Sequence, residues 1–166
     1  MPLLLVRHAK AGNRQDWGGD DRLRPLSPAG ARQAEELARR LAPYRPGRIL
    51  ASPYVRCRDT VAPLAGVVDV AVEEVAELAE GHSRDAAALI RRLAASLDGA
   101  DEAVVICSHG DVIPEVLDHF AVEDGLDLGP APRCAKGSTW VIEVKNGQLA
   151  GASYLATESS SSRSHR

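Results

Sequence analysis

Two short segments made entirely of apolar residues constrain the fold of this chain more than any other feature. Residues 3–6 stop at the basic pair Arg7 and His8, and residues 103–107 are followed two positions later by His109. A short, wholly apolar run is typical of a strand buried on both faces, as in the centre of a parallel sheet. The carboxyl ends of such strands share one edge, where open α/β folds bind their ligands. We therefore expect Arg7, His8 and His109 to line a pocket.

Helical and strand patterns alternate along the rest of the chain. They predict strands at 48–51 and 67–75. Helices are predicted to begin near Ser27, Ser52, Ser83 and Val112, and the helix that begins near Ser52 is predicted to end toward Pro63. A hairpin turn is predicted at Asn146-Gly147, between strands at 139–144 and 148–154. Strands that alternate with helices imply right-handed crossovers. The sequence thus predicts an α/β fold, a three-layer α/β/α sandwich with a mainly parallel central sheet and a C-terminal antiparallel hairpin.

Composition limits the number of domains and the class of partner. A chain of 166 residues suits one domain, for which we expect residues 1–156, with the serine-rich 157–166 as a disordered tail. The net charge of -3 argues against a nucleic-acid polymer as partner, and no apolar run approaches the ~18–20 residues of a membrane span. Three cysteines without paired spacing and a start too short for a signal peptide predict a cytoplasmic protein. The oligomeric state is not indicated.

The loops after four predicted strands carry side chains suited to phosphate chemistry. In chain order they hold Arg7 with His8, then Arg56, Glu80 and His109. Guanidinium groups supply the charge and the paired donors that a phosphate dianion needs, and a neutral imidazole can attack phosphorus. A carboxylic acid can protonate the leaving oxygen. Because arginine and histidine can stabilise the charge, this chemistry requires no metal and no other cofactor.

The polar segment 13–25 follows the first strand and is predicted to form a loop over the site, as a lid or a substrate loop. Lys10 and Arg14 either bind further substrate charge or are solvated, and Asn13 either contacts phosphate or closes a surface turn. The charged residues within the loop fit a structural salt-bridged turn as well as a specificity loop; they are Asp20, Asp21, Arg22 and Arg24. Glu80 has nearby competitors for the proton-donor role, which are Glu73, Glu74 and Glu77.

Two other functional classes remain open at this stage. A metal-dependent hydrolase could use His8, His109 and Asp111 with Asp20 or Asp21, although no tight ligand spacing such as His-x-Glu occurs. A non-catalytic phosphate-binding module would need only the arginines.

Four short motifs resemble the signatures of the histidine phosphatase superfamily, in order and at suitable spacing. They are Val6-Arg7-His8-Ala9, residues 52–60 (SPYVRCRDT), Leu78-Ala79-Glu80 and Ser108-His109-Gly110. The resemblance implies a phosphoglycerate mutase-like α/β/α fold without a metal. It also implies that His8 is the phosphorylated nucleophile, that Arg7, Arg56 and His109 line the phosphate pocket, and that Glu80 is the proton donor.

Departures from the usual family pattern indicate the branch. Arg-His-Ala-Lys replaces Arg-His-Gly-Glu at 7–10, and no long insertion is present, which argues against a mutase. The short chain looks like a SixA-type phosphohistidine phosphatase. Residues 7–12, 17–26 and 56–64 are also similar to the C-terminal phosphatase half of actinobacterial MutT-type proteins, which pair it with a Nudix half. The resemblance therefore implies either a phosphoprotein (phosphohistidine) or a small phosphorylated metabolite, such as a nucleotide, as substrate.

Overall fold

The computed structural model describes residues 2–97, 101–130 and 133–157. Within these ranges the strands are β1 (Pro2–Arg7), β2 (Pro46–Ala51), β3 (Val72–Glu74), β4 (Ala103–Ser108), β5 (Thr139–Lys145) and β6 (Gln148–Leu155). The helices are α1 (Pro28–Leu41), α2 (Val55–Val68), α3 (Ser83–Ser96) and α4 (Val112–Glu123), and short 3-10 turns lie at Arg14–Asp16, Asp21–Leu23, Ala42–Tyr44 and Ala76–Leu78. No helix in the described ranges is long and apolar enough to cross a membrane.

A single six-stranded sheet runs in the order β3-β2-β4-β1-β5-β6. The neighbouring pairs β3–β2, β2–β4 and β4–β1 are parallel. Strand β5 runs antiparallel to β1, and β6 runs antiparallel to β5. The two apolar strands, β1 and β4, are therefore central neighbours whose carboxyl ends lie side by side. The predicted mainly parallel sheet with a C-terminal hairpin is confirmed. Asn146 and Gly147, both at positive φ, form the hairpin turn.

Alternate side chains of the central strands pack against different pairs of helices. Leu3 and Leu5 of β1 pack with residues of α3 and α4, while Leu4 and Val6 pack with residues of α1 and α2. This alternation follows from the two-residue repeat of a strand, and it explains why the strand is apolar throughout rather than on one face only. The predicted three-layer α/β/α arrangement is confirmed.

Local start signals place α1 correctly. The hydroxyl of Ser27 accepts a hydrogen bond from the backbone N–H of Gly30, and Pro28 is the first helical residue. The helix ends at Leu41, and Pro43 lies in the 3-10 turn that follows. The sequence signals at both ends of α1 are therefore sufficient to predict it.

Helix α2 differs from its prediction at both ends. It begins at Val55, with no side-chain cap, and continues through Pro63 to Val68. The helix continues because Val61 and Leu64 are buried between α1 and the sheet, and this burial outweighs the loss of one backbone hydrogen bond at the proline. The strand predicted at 67–75 is consequently reduced to the three residues of β3.

The start of α3 also differs from its prediction. Ser83 is its first residue rather than its cap, and the Ser83 hydroxyl donates to a carboxylate oxygen of Glu115 instead. The predicted end of α3 at Asp98-Gly99 and residues 158–166 of the predicted tail lie outside the described residues, whereas Thr157, the first residue of that tail, is buried.

Candidate active site

The four loops predicted to share one sheet edge do meet there. The rings of His8 and His109 are 5.5 Å apart between centroids and cross at 68°. A guanidinium nitrogen of Arg56 donates to Oε1 of Glu80 at 2.6 Å, and the same oxygen lies 3.6 Å from Nδ1 of His109. Arg7 lines the same cavity as His8 and Arg56, whereas Glu80 and His109 contact these residues without belonging to the lining. All five residues expected to take part in the chemistry thus lie at one site.

The imidazole of His8 is held as a neutral ring with one free nitrogen. Only 7% of the residue is exposed, and Nδ1 lies 2.8 Å from the carbonyl oxygen of Ala9. Since a carbonyl can only accept, Nδ1 carries the hydrogen and Nε2 carries the lone pair. Burial lowers the pKa of His8 to about 3, with the charges of His109, Arg56 and Arg7 acting in the same direction and the Ala9 hydrogen bond acting against them. At neutral pH the ring is therefore unprotonated on Nε2, which leaves that lone pair available.

Backbone hydrogen bonds hold the segment that carries His8. The N–H of His8 donates to the carbonyl of Ser108, the N–H of Ala9 donates to the hydroxyl of Thr60, and the N–H of Gly137 donates to the carbonyl of His8. These bonds come from β4, α2 and the loop before β5. The position of the ring is thus fixed by three separate elements.

Arg7 and Arg56 each retain an unused donor. Arg7 donates through Nη1 to the carbonyl of Cys134, and Arg56 donates through Nη1 to the carbonyl of Asp21. The Nε–H group of each arginine is buried and has no hydrogen-bond partner within the described part of the chain. A buried donor without a partner is costly, so such a pair beside His8 indicates that an anion completes the site.

His109 is oriented by two side chains from the segment just before α2. Its Nε2 lies 2.8 Å from the hydroxyl of Ser52, and the ring of Tyr54 stacks edge-on at 4.6 Å. The same hydroxyl accepts a hydrogen bond from the N–H of Tyr54, so Ser52 serves the site rather than capping the helix. The Ser52-Pro53 pair predicted a helix cap, so the contact between Ser52 and His109 was not predicted from the sequence. Thr60, one turn further along α2, was also missed because a threonine within a helix carries no distinguishing signal.

A buried thiol lies beneath His109. Sγ of Cys57 is 3.5 Å from Nε2 of His109, and the residue is fully buried. Burial opposes ionisation of Cys57, but hydrogen bonds with Cys107 and His109 lower its pKa below the usual value, while burial raises that of Cys107. Cys57 does not line the cavity, so it supports His109 and does not face a ligand.

The cavity beside His8 has a volume of about 680 Å³ and a strongly cationic lining. Its lining residues are Arg7, His8, Lys10, Ala11, Gly12, Asn13, Arg14, Arg24, Arg56 and Lys136. The three predicted substrate-binding residues, Lys10, Asn13 and Arg14, are all among them. Lys136 was missed, although the antiparallel course of β5 places the loop before it at this edge. Six cationic side chains and no carboxylate belong to this lining as far as the structure describes it.

The segment 13–25 forms a salt-bridged loop attached to the site. Asp21 lies 3.1 Å from a guanidinium nitrogen of Arg56 and accepts from Arg24 at 2.9 Å, so burial, which would raise its pKa, is outweighed and the pKa is lowered. Arg24 also donates to the carbonyl of Gly12. The side-chain oxygen of Asn13 accepts the N–H of Gln15, which makes Asn13 a turn residue as well as a lining residue.

Of the aspartates named for a metal site, Asp111 and Asp20 bond outside the cluster of His8 and His109, while Asp21 pairs with Arg56 and Arg24. Asp111 accepts the N–H of Gly81, and Asp20 pairs with Arg22. Within residues 2–97, 101–130 and 133–157, no three His, Cys, Asp or Glu side chains form a group that could hold a metal ion. Of the competitors of Glu80, Glu73 pairs with Arg48 and Glu74 with Arg58 on the surface of β3.

Known proteins share this arrangement of strands and helices. The protein histidine phosphatase SixA, solved with tungstate, superposes with a TM-score of 0.72 at 18% identity, covering 94% of this chain and 95% of that chain. A phosphoserine phosphatase mutant from Entamoeba histolytica, solved with phosphoserine, superposes with a TM-score of 0.65 at 18% identity, covering 95% of this chain and 96% of that chain. At these identities the likeness establishes the fold, which is phosphoglycerate mutase-like as predicted.

Sequence similarity extends the comparison. An 8-oxo-(d)GTP phosphatase from Mycolicibacterium smegmatis is 36% identical over 155 residues, which are 93% of this chain and 48% of the relative. The chain therefore spans about half the length of that curated protein. The family model described as histidine phosphatase superfamily (branch 1) matches residues 3–86, which include Arg7 and His8, the Ser52 to Thr60 motif and Glu80. This chain accordingly belongs to the histidine phosphatase superfamily.

Proposed function

We propose that this chain hydrolyses a phosphate group from its substrate through a phosphohistidine intermediate on His8, without a metal ion. One observation carries the proposal. His8, a neutral imidazole with a free Nε2, lines a cavity together with Arg7 and Arg56, each of which keeps a buried N–H donor without a partner in the described part of the chain. This set contains a nucleophile for phosphorus and the donors for its equatorial oxygens.

The first step transfers the phosphoryl group to the enzyme. Nε2 of His8 attacks phosphorus while Arg7, Arg56 and His109 stabilise the charge on the phosphoryl oxygens, and the bond from phosphorus to the leaving oxygen breaks. Because Nδ1 donates to the carbonyl of Ala9, the positive charge that develops on the ring is stabilised from behind. Water then hydrolyses the N–P bond and returns His8 to its neutral form.

Glu80 is the carboxylate placed to exchange the proton. It contacts Arg56, lies 3.5 Å from Arg14 and is the carboxylate nearest His109. In the first step it would protonate the leaving oxygen, and in the second it would accept a proton from the attacking water. Arg56 must exchange its contact with Glu80 for one with the phosphate, which frees the carboxyl group for this role.

The substrate is a phosphoprotein or a small phosphorylated molecule. The whole-chain likeness to a protein histidine phosphatase supports the first class, and the 36% identity to a nucleotide phosphatase supports the second. Both classes present a terminal phosphoryl group, so both suit the same nucleophile and the same pair of arginines.

The decisive experiment is a rapid quench with p-nitrophenyl phosphate in excess chelator. We expect the wild type to accumulate an acid-labile phosphoenzyme and to release p-nitrophenol, and His8→Ala to do neither. His119→Ala, which replaces a histidine on the outer part of α4, is the matched control and should retain both.

Each contrary outcome identifies a different alternative. Turnover that persists in His8→Ala would disprove the nucleophile. Turnover that is lost on addition of chelator would identify a metal-dependent hydrolase. Binding of inorganic phosphate without turnover of any phosphoester would identify a binding module.

A further inference from the structure

The cavity beside His8 holds more positive charge than one phosphate group requires. Three of its six cationic side chains, Arg14, Arg24 and Arg56, share the two carboxylates of Asp21 and Glu80. The remaining cations have no carboxylate partner among the described residues; they are Arg7, Lys10 and Lys136. A phosphate monoester carries a charge of about -2 at neutral pH, and Arg7 and Arg56 already supply the donors that it needs.

Lys10 is the better fixed of the two surplus lysines. Its N–H donates to the side-chain oxygen of Gln33, and its carbonyl accepts from the N–H and the hydroxyl of Ser27. A Cβ atom added at Gly30 would collide with the Lys10 carbonyl, so α1 packs directly against this backbone. The backbone is anchored, yet the ammonium group has no partner in the described structure. Lys10 is two positions after His8 in the sequence and lines the same cavity.

Lys136 approaches the same cavity from a different part of the chain. It precedes Gly137, whose N–H donates to the carbonyls of both Arg7 and His8. That contact holds the loop before β5 against the strand end that carries the nucleophile. Lys136 is exposed and has no ion-pair partner in the described ranges. Two unpaired ammonium groups thus reach one cavity from two separately anchored segments.

We propose that Lys10 and Lys136 bind a second phosphate group, so that the substrate is a small diphosphate whose terminal phosphate is transferred to His8. This inference rests on the proposed phosphatase function and narrows its substrate class. In a diphosphate, the second phosphate group adds negative charge next to the terminal phosphate, where Lys10 and Lys136 can bind it. A phosphate monoester has no such charge at that position. Lysine suits this position because its compact charge binds phosphate without requiring a fixed orientation.

The reaction balances without a further reactant. Nε2 of His8 forms a bond to the terminal phosphorus as the phosphoanhydride P–O bond breaks, and the leaving group is the remaining monophosphate. Lys10 and Lys136 stabilise the charge that this leaving group gains. Glu80 gives its proton to the leaving oxygen in this step. Water then cleaves the N–P bond and returns a proton to Glu80, giving inorganic phosphate and neutral His8. The overall change is diphosphate plus water to monophosphate plus phosphate.

The test compares two probes that differ by one phosphate group, phenyl diphosphate and phenyl phosphate. The measured quantity is the ratio of their kcat/KM values in wild type, Lys10→Ala, Lys136→Ala and the two Lys→Arg variants. We expect wild type to favour the diphosphate, each alanine variant to lower the ratio roughly tenfold, and arginine to restore it. Lys145→Ala, at the opposite end of β5, should leave the ratio unchanged. Thermal unfolding of each variant verifies that it is folded.

Failure of this inference and failure of the proposed function give different results. If neither probe is hydrolysed in a His8-dependent manner, the phosphatase proposal itself fails. If both are hydrolysed but wild type does not favour the diphosphate, or the alanine variants keep the wild-type ratio, only the second-phosphate site is overturned. A phosphopeptide flanked by aspartates that is a better substrate than either probe, and loses activity in the same variants, would overturn it in favour of an acidic protein substrate.

Discussion

The buried imidazole of His8 predicts a specific loss of stability in acid. Burial, together with the charges of His109, Arg56 and Arg7, lowers its pKa from 6.5 to about 3 in the folded chain, although the hydrogen bond to Ala9 acts in the opposite direction. In the unfolded chain the pKa returns to about 6.5. Between these two values the unfolded state binds a proton that the folded state does not. The free energy of unfolding therefore falls as the pH decreases from about 6.5 toward 3.

The size of this effect follows from the two pKa values. At pH 4.5 the unfolded pKa lies about two units above the pH, while the folded pKa of about 3 lies below it. Each unit is equivalent to about 1.4 kcal/mol, so His8 lowers the free energy of unfolding by about 3 kcal/mol relative to pH 7.5. For a domain of ordinary stability this is a large fraction of the total.

A double difference isolates the contribution of His8 from all other titrating groups. Urea unfolding is measured at pH 7.5 and pH 4.5 in a phosphate-free buffer for wild type and for His8→Asn. Asparagine does not titrate, and its amide can donate to the carbonyl of Ala9 as Nδ1 does. We compare the free energy of unfolding of His8→Asn with that of wild type at each pH. We expect this difference to shift in favour of the variant by about 3 kcal/mol when the pH is lowered from 7.5 to 4.5. A change below about 1 kcal/mol would refute the assignment of His8 as a buried neutral base.

Three further substitutions test how the site is built. Gly110→Ala would place a methyl group 2.5 Å from Cζ of Arg7, so we expect KM for p-nitrophenyl phosphate to rise roughly tenfold, as measured by initial rates. Glu80→Gln should lower kcat for an alkyl phosphate by roughly a hundredfold and that for p-nitrophenyl phosphate far less; equal losses would contradict its role as the acid. Thr60→Val removes a hydroxyl that accepts from Ala9, and urea unfolding should show a loss of about 2 kcal/mol that Thr60→Ser largely avoids.

The features that sequence predicted well are those set by local physical signals. An all-apolar run must be buried on both faces, which places β1 and β4 in the centre of the sheet. The Ser27-Pro28 start and the Asn146-Gly147 turn depend only on their own backbone geometry. The convergence of Arg7, His8 and His109 follows from topology alone, because parallel neighbouring strands end at one edge.

The features that sequence did not predict depend on contacts between distant segments. Proline normally ends a helix, and only the packing of α2 against α1 shows why Pro63 does not. Ser52 carries a capping signal but bonds to His109, 57 positions away. Lys136 is an ordinary surface lysine in sequence, and it joins the site only because β5 pairs antiparallel to β1.

Arg56 shows why a phosphate site also depends on residues that never contact phosphate. Its side chain is 1% exposed, and a buried charge without a partner is strongly destabilising. Asp21 and Glu80 supply that partner, at 3.1 and 2.6 Å, while the Nε–H group has no partner among the described residues. Asp21 lies outside the four sequence motifs, yet without it the motif arginine would rely on Glu80 alone. The loop 13–25 is therefore part of the charge balance around the buried guanidinium of Arg56.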